Sequence, residues 1–308
     1  MPFLLTRTNL QDISADAKVI GSCPYSSQSR NRQWHPDLWA EQRRIEQLPV
    51  GQSMMTSGQE FNSKYGIVTT PPLWSGGSRR EELHLAACYD SSLRLAHRRR
   101  CKSIAFPLLS GDCHGFPRDL ALKTAISTIR EFLSKHEMTV YLSIRDSWAV
   151  QLPKPQMEGI SHLLEEKQEP LLCCPQEAMA PRAVSEESLK QLVDSPGETF
   201  SQSLLRLIDE KGLKDPEVYQ KANLDRRLFS KIRSNPNYQP SRTTALALAL
   251  ALELDLAKTE RLIGKAGFAL SDGSRFDIIV RYYIEQGNFD IYEINQALFA
   301  FEQPLIGS

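Results

Sequence analysis

The sequence lacks any apolar run close to the roughly 20 residues a helix needs to cross a bilayer. Its longest helical candidate, Thr244 to Leu256, is too short and carries Glu253 and Asp255. Met1 to Leu5 has no basic flank and no cleavage site, so the reading is a cytoplasmic chain without a membrane anchor. An excess of either charge is also missing, with 37 Lys and Arg against 37 Asp and Glu. That excludes a polybasic protein bound to nucleic acid along its whole length, and any charge-driven site has to be local. The six cysteines, Cys23, Cys88, Cys101, Cys113, Cys173 and Cys174, form no CxxC pair and have no His pair nearby. Neither a zinc site nor a disulfide framework follows, and we read them as reduced thiols. P-loop, GxGxxG and HExxH patterns are absent, so no cofactor and no metal is expected.

What remains is ordinary soluble-globular material: 308 residues, 41% hydrophobic and 24% charged, long enough for two domains. Residues 1–152 alternate short β-type runs with amphipathic stretches. Phe3 to Thr6, Lys18 to Gly21, Tyr65 to Thr70, Ser103 to Leu108 and Thr139 to Ile144 read as strands. Arg80 to Arg98 and Pro117 to His136 read as helices, their apolar residues recurring at three and four. This pattern predicts an α/β sheet covered on both faces. Residues 153–198 hold Pro153, Pro155, Pro170, Pro175, Pro181 and Pro196 and read as a linker with a short helix at Glu186 to Val193. Residues 199–308 read as almost wholly helical, with stops at Gly212, Asn235-Pro236, Gly267, Gly273 and Gly287-Asn288.

The run Val68-Thr-Thr-Pro-Pro-Leu-Trp-Ser-Gly-Gly77, then Glu81-Glu-Leu83, Cys88-Tyr-Asp-Ser-Ser-Leu93, and Ser103-Ile-Ala-Phe-Pro-Leu-Leu-Ser110 ending in Gly115-Phe-Pro117, resembles the second half of a macrodomain. The resemblance implies a mixed α/β sheet flanked by helices and a pocket for ADP-ribose or a related nucleotide, with hydrolysis of ADP-ribose derivatives in some members. The candidate ligand-binding residues it implies are Asn9, Ser22, Ser110, Gly111, Asp112, Cys113, His114, Gly115 and Phe116. Asn9 stands where the family has an Asp for the adenine amino group. Ile20-Gly21-Ser22-Cys23 replaces the family's Asn-Ala-Ala-Asn, and Ser26 to Asp37 replaces its glycine run. Asp112 places a carboxylate where phosphates would lie, a repulsion unless it turns outward or a cation intervenes. With both asparagines missing, no catalytic residue is assigned, and a sensor is favoured over an enzyme.

Asp215 to Leu270 resembles the helix-turn-helix domain of phage-repressor-like regulators, through the helix Glu217 to Ala222, the turn Asn223-Leu224-Asp225 and the helix Arg226 to Ser234. Ala222, Leu224, Leu228, Ile232 and Leu246 are the expected core. Between residues 221 and 242 six basic residues face only Asp225, a local charge of +5. Lys221, Arg226, Arg227, Ser230, Lys231 and Arg233 are therefore candidate DNA contacts. Protein docking or dimerisation through 276–301, rich in Ile, Tyr and Phe, stands as an equal alternative.

The reading is thus a nucleotide-binding macrodomain followed by an all-α, helix-turn-helix-like bundle that binds DNA or a protein, in the service of regulation. The alternatives are a macrodomain hydrolase in which Asp112 aligns a water, and an interaction scaffold with an inactive pocket.

Overall fold

A computed structural model describes residues 2–22, 44–45, 47–109, 114–144, 152–166 and 198–307. The chain forms two compact units, Met1–Gln151 with Asn295–Ile306, and Leu152–Ile294 with Gly307.

The first unit is built on a six-stranded sheet of β1 (Phe3–Thr6), β2 (Ala17–Gly21), β3 (Ser53–Ser57), β4 (Tyr65–Thr69), β5 (Ser103–Pro107) and β6 (Thr139–Ser143). Its order is β1-β6-β5-β2-β4-β3. All neighbours run parallel except β3, which pairs antiparallel with β4 at the edge. Successive side chains on a strand point to opposite faces. Ala17, Lys18 and Val19 are all buried, as are Ile104, Ala105 and Phe106, so both faces are covered as the apolar runs predict. β3 has no counterpart in the strands expected from sequence. Its Ser-Met-Met-Thr-Ser run is mostly half-buried and offers no apolar signal.

Helices α1 (Glu81–Arg98) and α2 (Arg118–Leu133) follow β4 and β5 and pack on each other. The buried stripe of α1, Leu85, Cys88, Tyr89, Leu93 and Ala96, recurs at three and four and is fully excluded from solvent. Burying each large apolar side chain contributes about 1.5–3 kcal/mol.

The second unit is helical. Helix α3 (Lys154–Glu166) occupies the start of the stretch read as a linker. Pro153 and Pro155 sit at its first turn, where proline's missing N–H and fixed φ are compatible with a helix, so proline frequency alone misread this segment. Ile160 and Leu164 bury its inner face, and Gln156 accepts a hydrogen bond from the Tyr283 hydroxyl at 3.4 Å. The short helix expected at Glu186 to Val193 lies outside the described residues.

Six further helices follow: α4 (Phe200–Lys211), α5 (Asp215–Lys221), α6 (Arg226–Ser234), α7 (Arg242–Ala251), α8 (Leu256–Lys265) and α9 (Arg275–Glu285). A final helix, α10, spans Ile291–Ala300, its residues from Asn295 on grouping with the first unit. Thr199, Asp225, Ser241, Asp255 and Ser274 each cap a helix by accepting a backbone N–H through the side chain. Ala222, Leu224, Ile232 and Leu246 are buried as expected, whereas Leu228 is only half-buried and Phe229 takes the core position beside it.

One charged cluster ties this core together. Asp277, whose side chain is 1% exposed, pairs with the Arg242 guanidinium and accepts the Ser271 N–H at 2.9 Å. Arg242 also donates to the Ala269 carbonyl and lies over the Phe276 ring. Removing one partner of such a pair leaves an uncompensated charge in a dry site. Arg242→Ala, which strands the buried Asp277 carboxylate, is therefore expected to destabilise the helical unit by about 3 kcal/mol, measured by urea unfolding. A loss below about 1 kcal/mol would show that the pair contributes no more than a surface bridge.

Candidate functional site

In an open α/β sheet a ligand crevice forms outside the carboxyl ends of the strands, where chain order reverses. Here the chain passes from β4 on one side of β2 to β5 on its other side, so the reversal lies at the end of β2. Gly21 and Ser22 occupy that end. A Cβ on Gly21 would come within 3.1 Å of Pro71 and 3.3 Å of Leu109, so the glycine lets the loops after β4 and β5 close over β2. Ser22 extends the ladder, its N–H donating to the Thr69 carbonyl at 2.8 Å and its hydroxyl to Thr70 at 3.2 Å.

Two bonds and one aromatic contact connect the walls. The Trp74 N–H donates to the His114 carbonyl at 2.9 Å, and the Trp74 and Phe116 rings pack with centroids 4.6 Å apart. The Leu109 N–H, at the start of the loop after β5, donates to the Tyr89 hydroxyl at 2.9 Å. Gly115 adopts φ +66°, a conformation a side-chain-bearing residue takes only at a cost.

The loop after β4 is held by Glu81, a carboxylate only 2% exposed. Its Oε1 accepts from the Ser75 N–H at 3.1 Å and the Ser75 hydroxyl at 2.6 Å, and its Oε2 accepts the Arg79 N–H at 2.7 Å. The Ser75 hydroxyl bond, with these backbone donors, holds the acid down to about 2 against the opposing effect of burial.

The structure brings Ser22, His114, Gly115 and Phe116 into this arrangement. Phe116 is buried against Trp74, and His114 is buried with its imidazole bonded to the Ser22 backbone. Asn9 is elsewhere on the edge: it follows β1, beyond β5 and β6, and its exposed carboxamide accepts the Gln11 N–H at 3.4 Å. Ser110, Gly111, Asp112 and Cys113 lie outside the described residues. Sequence reasoning assigned no role to Glu81 or Tyr89; the Ser75 hydroxyl six residues before Glu81 was the only local signal for the first.

The family model described as Macro domain matches residues 31–125. A macro domain-containing protein of Mesorhizobium japonicum is 34% identical over 118 residues, which cover 38% of this chain and 67% of that protein. The chain belongs to the macro domain family. A macro domain-containing protein of Methanosarcina mazei is 42% identical over 109 residues, 35% of this chain and 58% of the relative. The human ADP-ribose glycohydrolase MACROD2 is 38% identical over 108 residues, 34% of this chain and 25% of the relative. The chain thus spans little more than half of the archaeal relative and a quarter of the human one. Among solved structures, the Oceanobacillus iheyensis macrodomain with ADP aligns over 53% of this chain and 91% of that chain, with 22% identity and a TM-score of 0.42. The family match takes in Trp74, Glu81, Tyr89, His114 and Phe116, and leaves Asn9, Ser22 and the helical unit outside.

In the helical unit, Lys221, Arg226, Arg227, Ser230, Lys231 and Arg233 are all exposed. Lys221 pairs with Glu253 at 2.8 Å, and Arg233 pairs with Asp215. Arg242, counted in the local charge, pairs with Asp277. Six basic residues against Asp225, Asp215, Glu253 and Asp277 leave +2 in place of +5. Asp215, Glu253 and Asp277 come from outside the 221–242 window, which is why a local count does not include them.

The macro domain carries its own pH dependence. Burial pushes the His114 imidazole below the usual histidine range, and its bond to the Ser22 backbone pulls the other way. The unfolded chain takes up this proton first as pH falls through about 6.5, so the stability contribution is full above that pH and is lost below it. His136 shifts in the same direction, by burial and then by its neighbour His97, so His136→Gln is the proper background. In that background the unfolding midpoint is expected to fall between about pH 7 and pH 5, and His114→Gln to flatten the fall. An unflattened profile would remove His114 as the cause.

Proposed function

We propose that the macro domain binds an ADP-ribose-like nucleotide at the carboxyl edge of its sheet. The observation that carries this reading is the closure of the loops after β4 and β5 over Gly21, joined by the Trp74 to His114 bond. Ser22, Ser110, Gly111, Asp112, Cys113, His114, Gly115 and Phe116 form the site in this reading, His114 as a clamp on Ser22. Asn9 is the candidate for the adenine end. Exposed backbone at Gly115 supplies the kind of approach that phosphate oxygens need. The human relative's name, ADP-ribose glycohydrolase, supports the ligand class. The replaced asparagines favour binding over hydrolysis.

The chain is, in this reading, a regulator whose helical unit acts on DNA or on a protein. For DNA the exposed side chains of α6 (Arg226, Arg227, Ser230 and Lys231) are the candidate contacts; for a protein, the segment 276–301 is. The pairing of Lys221, Arg233 and Arg242 favours the protein arm.

Calorimetric titration of the full chain with ADP-ribose is expected to give saturable binding that Gly111→Glu abolishes. Absence of heat, with the protein folded, would remove the nucleotide reading; turnover of ADP-ribose esters or glycosides would replace it with the hydrolase. For the DNA arm, binding to a duplex pool should weaken on Arg227→Ala with Lys231→Ala, and its log-log salt slope should become shallower by about 2. No affinity at low salt would leave protein docking alone.

A further inference from the structure

We infer that helix α1 is the positioning element of the nucleotide site, Glu81 fixing the loop after β4 and Tyr89 fixing the loop after β5. This rests on the nucleotide reading proposed above and goes beyond it by assigning roles to two residues that need not touch the ligand.

The geometry follows from where the helix starts. α1 leaves the loop after β4, so its first residues lie at the carboxyl edge of the sheet. Side chains on a helix lean toward its N-terminus. Tyr89, two turns into the helix and fully buried, therefore directs its hydroxyl back to that edge, where it receives the Leu109 N–H. Its ring is steadied by Phe106 of β5, with centroids 5.2 Å apart. Glu81, the first helical residue, turns the other way along the chain and gathers three donors from Ser75 and Arg79. The Tyr89 site is dry, so a Leu109 N–H that loses its acceptor stays unsatisfied unless the loop moves; Ser75 and Arg79 are exposed, so the Glu81 bonds act by ordering the turn rather than by sparing a buried donor. One rigid helix thus sets both walls, and Trp74 and His114 join them at a fixed spacing.

The two residues lend themselves to near-isosteric tests. Tyr89→Phe removes one oxygen and leaves the ring. Glu81→Gln keeps an acceptor for Ser75 but turns an amide N–H toward the Arg79 N–H, and Glu81→Ala removes all three bonds.

The experiment is hydrogen exchange on the full chain, read over 70–80 and 108–117, together with ADP-ribose titration. Tyr89→Phe is expected to speed exchange in 108–117, and Glu81→Gln in 70–80, with protection in β2, β4 and β5 unchanged. Affinity for ADP-ribose is expected to fall about tenfold in each, and further in Glu81→Ala than in Glu81→Gln. A purely structural role would lower the unfolding midpoint and loosen the strands along with the loops. Wild-type exchange and affinity in both variants would overturn the proposal. Should the wild-type protein not bind ADP-ribose, the nucleotide reading fails, and loop exchange alone decides the positioning role: local acceleration upholds it and unchanged exchange overturns it. Should Glu81→Gln fail to fold, Ser75→Ala removes the hydroxyl partner from the loop side and carries the same expectation for 70–80.

Discussion

The buried stripe of α1 against the sheet is the contact on which the rest of the macro domain depends. Leu85, Cys88, Tyr89, Leu93 and Ala96 are all withdrawn from solvent, and they fix the helix in rotation as well as position. With the helix fixed, Tyr89 can reach only toward Leu109, and Glu81 only toward the turn that precedes it. The same burial keeps the Leu109 to Tyr89 bond dry, which raises the cost of breaking it. Core packing and loop geometry are therefore one problem in this fold. A methyl-sized change under α1 would be felt at the carboxyl edge of the sheet, because close-packed interiors transmit such shifts.

The helical unit follows a different logic. Its helices are short, seven to twelve residues over α4 to α9, too short to persist in isolation. They are specified at their ends by side-chain caps and along their length by a nearly continuous apolar core from Thr244 to Leu252. Charged residues then link elements distant in sequence: Arg242 to Asp277, Lys221 to Glu253, Arg233 to Asp215. The last two are exposed and contribute little stability, but they neutralise charge that a nucleic-acid backbone would otherwise attract.

Much of this was legible in the sequence because burial on both faces of a parallel strand leaves unbroken apolar runs, as in Ile104-Ala-Phe106. The helix caps were legible for a similar reason, since Thr, Asp and Ser before an amphipathic run have a local cause. The edge strand Ser53–Ser57 was not, because its side chains are mostly half-buried and its pairing partner sets its conformation. Helix α3 was hidden by prolines that a first helical turn accepts. At the site, the glycines and Phe116 could be named through the resemblance to a macrodomain. The roles of Glu81 and Tyr89 could not, because each is defined by a backbone N–H in a loop that only the fold brings near.

The central claim is that a nucleotide lies at the carboxyl edge of β2, between the loops after β4 and β5. Amide chemical-shift mapping of the isotopically labelled full chain during addition of ADP-ribose tests it most directly. The account predicts saturable shifts concentrated at Ser22, Ser75 to Gly77, Leu109 and Gly115. Saturable shifts confined to residues 198–307, or none anywhere at saturating nucleotide, would contradict it.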